Sequence, residues 1–277
     1  MSLGTSSVPH FIPTIWSASV LRSFEKANVF ANVLSREYSG EITDSGDTVK
    51  IPIVTKPGIR AYEKNTDISY DLVSGNTLTV TVDQCNYFAL KADDLDALQS
   101  KPAFLDAATR SAGLELADLL DKNIAETLID DAGIDLTSSP LPIGDQNVLT
   151  YLAEIAEKMD DNNVPRGKRW LVAPPSLANK ISLAVINKGI PNTEAIADGF
   201  IARVLGFDVY MSNNIPKTAG GASQALAGVM EAASLIAEVS KLETLRDPAR
   251  FGDLVRGYLL WKAAVLLPEG IVKVAYA

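Results

Sequence analysis

From Pro102 to Asp131 apolar residues return at spacings of mostly three or four: Leu105, Ala108, Ala112, Leu116, Leu119, Leu120, Ile124 and Leu128. That is the period of one face of an α-helix. Pro102 suits the first turn, where its missing N–H is no loss, and Gly133 stands just past the end. About thirty residues at ~1.5 Å each make a rod of roughly 45 Å. Such a rod is a spine on which the rest of a 277-residue chain must be arranged. Its other face carries Arg110, Glu115, Asp118, Asp121, Lys122 and Glu126, which read as a solvated stripe.

Ahead of the spine the texture is extended. Residues 1 to 20 hold Pro9 and Pro13 among scattered apolar anchors, Phe11, Ile12, Ile15 and Trp16, a composition that makes an arm rather than a coil. A short helix is expected from Ser17 to Val33. Val49, Ile51 and Ile53 then alternate with polar positions, as do Leu78, Val80 and Val82, and the two segments read as strands of one long hairpin. Between them the stretch from Thr55 to Gly75 carries Lys56, Arg60, Lys64 and Asp67, a charged tip. A two-stranded ribbon is marginal by itself in water. With no third strand evident nearby, a neighbouring copy of the chain is the surface it is expected to lie on.

After Pro140-Leu141-Pro142 short helices and strands alternate, which suggests a second domain. Asp145 is placed to cap a helix bearing Val148, Leu152, Ile155 and Met159. Arg169 to Ala173 reads as a strand, and Pro175 opens another helix. Gly206 to Met211 reads as a further strand, with more from Ala225 onward. Leu254 to Leu267 and Ile271 to Ala275 are joined by the turn Pro268-Glu269-Gly270.

Chemistry can be checked by counting, since the chain has one His and one Cys. Zinc sites need several such ligands, and a lone Cys85 forms no intrachain disulfide, which fits a reducing compartment. His10 lies in the extended arm, a poor platform for a general base, and Cys85 is expected to be a buried strand residue. No Walker or dinucleotide glycine pattern occurs. The acidic pairs Asp93-Asp94 and Asp130-Asp131 suit helix ends, and Asp160-Asp161 a helix exit. Catalytic residues, metal ligands and cofactors are therefore expected to be none. With 25 Lys and Arg against 34 Asp and Glu, net −9, the chain lacks the basic surplus of a nucleic-acid or membrane-surface binder. Neither a signal peptide nor a membrane-spanning run is expected.

An arm, a charged-tip hairpin, a spine helix, an α/β portion and returning strands follow one another in this order. Within it stand Phe11-Ile12-Pro13-Thr14-Ile15-Trp16-Ser17, Tyr38 through Gly46-Asp47-Thr48-Val49, and Arg169-Trp170-Leu171-Val172 with Pro174. Gly206-Phe207-Asp208-Val209-Tyr210 with Ser212-Asn213-Asn214, Arg246-Asp247-Pro248 and Pro268-Glu269-Gly270 complete the set. On these residues the chain resembles the major capsid (coat) proteins of tailed bacteriophages. The resemblance implies an α+β chain with the tailed-phage major capsid protein fold: an N-arm at 1–40, an E-loop hairpin at 41–92, a discontinuous P-domain at 93–140 and 238–277 around the spine helix, and an A-domain at 141–237.

It further implies a structural protein that self-assembles through hexamers and pentamers into an icosahedral shell around double-stranded DNA, held without sequence-specific binding. Its place would be the virion, with assembly in the bacterial host cytoplasm. There is no room for a large amino-terminal scaffolding segment, so a separate scaffolding protein and a portal are expected partners. Some family members weld the shell through a Lys in the E-loop and an Asn near the carboxyl end; here Asn214 is the last Asn, so that acceptor is missing. Intersubunit contacts are expected at Phe11, Ile15 and Trp16 of the arm, at Lys56, Arg60, Lys64 and Asp67 of the tip, and at Arg246, Asp247 and Arg250. Two other readings remain at this point: an encapsulin-like shell enclosing a cargo enzyme, and a cytosolic oligomeric enzyme using carboxylates and lysines.

Overall fold

The computed structural model describes residues 28–38, 46–54, 59–61, 64, 67, 75–93, 102–141, 143–144, 147–187, 200–246 and 252–276. The chain enters through a single helical turn, α1 (Phe30–Val33), the described end of the helix expected from Ser17; the earlier part lies outside the described residues. The alternating segments form β1 (Thr48–Val54) and β2 (Gly75–Thr81), paired antiparallel from Thr48↔Thr81 to Val54↔Gly75. Then come β3 (Gln84–Asp93) and the spine helix α2 (Pro102–Asp130), whose 29 residues give a length of about 43 Å.

After the spine follow β4 (Ile134–Leu141), α3 (Val148–Asp161), β5 (Arg169–Ala173), α4 (Pro175–Asn187), β6 (Phe200–Val204), β7 (Phe207–Met211) and β8 (Ser223–Val229). The chain closes with β9 (Ala233–Arg246), β10 (Gly252–Val265), a 3-10 turn at Pro268–Gly270 and β11 (Ile271–Tyr276). β3, β10 and β9 make one antiparallel sheet. The other sheet has the order β4-β11-β8-β5-β7-β6, parallel at β4/β11 and β5/β7 and antiparallel elsewhere. The carboxyl-terminal strand thus sits between β4 and β8, closing a sheet whose other strands come from the middle of the chain.

Apolar patterning explains most of this. All five residues of β5 are buried, as an inner strand with packed faces requires. Helix α3 buries Val148, Tyr151, Leu152, Ile155 and Met159, and α4 buries Leu177, Ala178, Ile181, Ala184 and Val185, the three-to-four spacing of one helical face. One contiguous core runs from Phe30 through Leu120, Ile124 and Leu128 to Trp170, Phe207 and Ile271.

Several expectations need correcting. The ribbon is not unsupported at its base: Val49, Ile51, Val80 and Val82 pack with Ile236 of β9 and Leu260 of β10. Its missing third layer comes from strands some 155 or more residues away in sequence, which local inspection cannot reach. Cys85 lies on a strand but is exposed, because side chains alternate along β3 and 85, 87 and 89 share the outer face. Asp93 ends β3, in register with Gly252, rather than capping a helix; Asp94 and Asp145 lie outside the described residues. Leu119 is exposed, since at about 100° per residue it falls opposite the buried stripe of Ala117, Leu120, Ile124 and Leu128. Asp121, expected in a solvated stripe, is buried.

Two strands went unread. β4 contains Pro140, which resembles a break, but a proline is tolerated on the edge strand it forms against β11, where the pairing is irregular after Val274. β6 is a five-residue edge strand whose turn to β7 holds Leu205 and Gly206 at positive φ. Among the described residues no helix is long and apolar enough to cross a membrane.

Candidate assembly surfaces

Among the described residues the ribbon β1–β2 is anchored near its Gly46/Val82 end. Seven residues at ~3.4 Å carry it roughly 24 Å from the Gly46/Val82 end, where Gly46 N–H donates to Val82 O at 2.9 Å and Val82 N–H to Asp47 O at 3.0 Å. Gly46 has φ 94°, a conformation a side chain disfavours. Beyond the paired strands, Arg60, Lys64 and Asp67 are exposed, and Ile59 is 99% exposed. An isoleucine left in water costs the burial it forgoes, about 1.5–3 kcal/mol. Beside three charged groups it gives the tip the composition of a contact patch. Lys56 lies outside the described residues.

Other expected contact residues are less accessible to description. Phe11, Ile15, Trp16, Asp247 and Arg250 lie outside the described residues. Arg246 is the last residue of β9, opposite Asp253 of β10, so the 246–250 segment joins the two strands of a hairpin at the far end of the three-stranded sheet.

That three-stranded sheet has an open outer face. Tyr87, 78% exposed, stands opposite Tyr258 in register, and Arg256 binds Glu243 through Nε and Nη2 at 3.0 and 2.7 Å. These residues with Phe88, Ala89 and Gly257 line a hollow of about 570 Å³. Near the ribbon's base, Lys262 Nζ lies 2.9 Å from Asp83 Oδ1 and holds that carboxyl below its usual range. On α4, Leu183 and Ile186 are exposed three residues apart, and Leu205 projects from the β6–β7 turn. These apolar positions and the buried Asp121 were not singled out from sequence; pairing an exposed parity with an apolar residue type was the signal available for Tyr87, Leu183 and Ile186.

The charged cluster at the exit of α3 is structural. Arg169, buried at the start of β5, donates to Asp160 Oδ1 at 2.8 Å and to the carbonyls of Pro165 and Val164, while Arg166 binds Asp160 Oδ2 at 2.7 Å. Hydrogen bonds from Arg166 and Arg169 hold the Asp160 carboxyl below its usual range. Every acceptor here serves to close the loop from Asp161 to Lys168. Among the described residues no group of three or more His, Cys, Asp or Glu is disposed to hold a metal ion. Among the described residues the Asp160 cluster closes a loop, and Ile59, Tyr87, Leu183, Ile186 and Leu205 are exposed apolar positions.

Comparison with known proteins agrees with this reading. No curated protein sequence matches. Among solved structures, a chain from Mycobacterium phage Che8 superposes with a TM-score of 0.70 at 25% identity, covering 89% of this chain and 90% of that one. The capsid structure of the cyanophage P-SCSP1u gives 0.68 at 18% identity over 100% and 93%. The virus-like particle from Pyrococcus furiosus gives 0.60 at 12% over 93% and 96%. The fold is thus the α+β fold of tailed-phage capsid subunits. The model of the phage capsid protein family matches residues 59–274. With that family comes a structural, non-enzymatic role in the capsid of a virion, as one of many subunits in a shell, and the carboxylate-and-lysine enzyme reading falls away. The chain belongs to the phage capsid protein family.

Proposed function

We propose that the chain is the major capsid subunit, assembling through pentamers and hexamers into an icosahedral shell that encloses double-stranded phage DNA. The observation that carries this reading is the ribbon: anchored on its own chain by Val49, Ile51, Val80 and Val82, it projects an exposed Ile59, Arg60, Lys64 and Asp67. Contacts between unlike surfaces, repeated by rotation, close into rings and tile a shell. In this reading residues 1–40 are the N-arm, 41–92 the E-loop reaching a neighbour, 93–140 with 238–277 the P-domain, and 141–237 the A-domain around the capsomer axis. Phe11, Ile15, Trp16, Lys56, Arg246, Asp247 and Arg250 add further intersubunit contacts. A separate scaffolding protein and a portal assist assembly in the host cytoplasm. The net charge of −9 supports a container that holds DNA without binding it by sequence.

The test is expression of the chain alone and with its neighbouring phage genes, followed by electron microscopy. Closed particles of uniform size are expected in the second case. Arg60→Glu with Lys64→Glu should impair assembly while the subunit's circular dichroism is unchanged; one substitution is too weak a test, since an exposed ion pair contributes only ~0–1 kcal/mol. Normal particles from the double variant would remove the tip from the interface. The second reading is an encapsulin-like shell around a cargo enzyme, and particles filled with one enzyme instead of DNA would establish it.

A further inference from the structure

Between α3 and the edge of the six-stranded sheet lies a cleft of about 300 Å³. Leu136 of β4 and Val274 of β11, partners in register, form its apolar walls with Ile155 of α3. Alternation along the two strands sends their neighbours Asp135 and Lys273, paired at 3.3 Å, to the opposite face. Binding pockets run to roughly 300–1,000 Å³. This one is at the small end, with room for one long side chain rather than a folded segment.

Two features give the cleft its chemistry. Glu154 and Glu157, one turn apart on α3, are exposed on its lining and make no ion pair among the described residues. Lys158, also on the lining, is paired with Asp161 at 3.6 Å. The second feature is Tyr151. It lines the cleft, is 4% exposed, and its hydroxyl has no hydrogen-bond partner among the described residues. Leaving a buried hydroxyl unpaired is costly, and nearly all such groups in native proteins find a partner.

We propose that the cleft is a socket for a lysine or arginine side chain of a second copy, its stem against Leu136, Ile155 and Val274. Glu154 and Glu157 hold the cation, and one of its N–H groups donates to the Tyr151 hydroxyl oxygen. This rests on the shell reading above, in which copies of the chain surround one another. Long basic side chains lay their apolar stems on apolar surface and keep the charged head at the rim, and arginine is enriched among the residues that anchor interfaces. The charges are complementary. The cleft is acidic, whereas Lys168 and Lys217, elsewhere in the 141–237 portion, are exposed and make no ion pair among the described residues. A socket on one surface and a cation on another is a contact between unlike surfaces, the kind that closes rings.

Assembly of the purified full-length subunit with the neighbouring phage gene products tests this, at salt from about 0.05 M to about 0.5 M. Glu154→Gln with Glu157→Gln should raise the critical concentration for assembly about tenfold and flatten its dependence on salt. Circular dichroism and the thermal midpoint of the free subunit should not change, because both carboxylates are exposed. Tyr151→Phe should leave the free subunit at least as stable, since it removes an unpaired buried hydroxyl, and still weaken assembly, a combination that a purely structural tyrosine does not give. Wild-type assembly by either variant overturns the socket and leaves the shell reading standing. A wild-type chain that forms no particle overturns the shell reading and the socket with it. Unchanged assembly, with butane-1,4-diamine bound by the wild-type subunit but not by the double variant, would assign the cleft to a free amine and overturn the second copy.

Discussion

Replacing Gly133 by alanine should destabilise the subunit by about 2–3 kcal/mol, and the structure shows how. Gly133 leaves the spine helix beneath the 3-10 turn and donates its N–H to Pro268 O at 2.9 Å. An added Cβ would lie 2.6 Å from both Pro268 C and Pro268 O and 2.9 Å from Glu269 N. All three are backbone atoms, so no rotamer change relieves the contact. Nor can the turn retreat freely, because Gly270 is itself wedged so closely that a Cβ there would meet Ala232 Cβ at 2.7 Å. Separating the two backbones by roughly 0.8 Å would carry the hydrogen bond past its useful range, a loss of ~1 kcal/mol. Overpacking adds ~1–3 kcal/mol. The entropy that alanine removes from the unfolded chain returns ~0.4–1 kcal/mol. Urea unfolding of the unassembled subunit, followed by far-ultraviolet circular dichroism, should show a lower midpoint at unchanged slope. Gly167→Ala is the control, since a Cβ there meets nothing within 4 Å. A Gly133→Ala midpoint equal to or above wild type would refute the close-approach argument.

Three further outcomes are expected. Gly228→Ala should cost ~1–3 kcal/mol in the same assay, because its Cβ would lie 2.7 Å from the buried Trp170 ring at Cζ2. Arg169→Met should destabilise by ~2–3 kcal/mol by leaving the Val164 and Pro165 carbonyls without this donor and Asp160 with Arg166 alone, and Asp160→Asn should flatten the loss of stability on acidification. The sign follows from Asp160's depressed pKa: its contribution is present above the ordinary carboxylate value and lost as pH falls through the lower folded one. Assembled particles boiled in detergent and reductant should run at the subunit mass of 29.6 kDa, since no Asn follows Asn214 and the chain has one Cys; a covalent ladder would reveal a cross-link of another kind.

What could be read without the structure follows from range. The ribbon was legible because strict alternation fixes both partners and faces, and β5 because a short unbroken apolar run fits an inner strand. The C-terminal half of the spine was legible for the same reason, period by period. Asp121 was not, because the donors that retain it lie over ninety residues away and one carboxylate on a helix resembles any other. Cys85 was misread because residue type suggested burial while parity decided otherwise. Gly133 was read as a helix stop, whereas its place depends on the approach of Pro268. For the contact surfaces, charge and exposure at Arg60, Lys64 and Asp67 were visible in the sequence. What they would meet in the proposed shell is a second copy, which leaves no local pattern in the first.

The central claim is that this chain tiles a shell by laying its ribbon on a neighbour. A density map of the assembled particle by cryo-electron microscopy, at a resolution that traces the backbone, tests it most directly. The account predicts the β1–β2 ribbon with Ile59, Arg60, Lys64 and Asp67 buried against an adjacent subunit, in every pentamer and hexamer. A closed shell built from this chain in which that tip stands free in solvent at every position would contradict it.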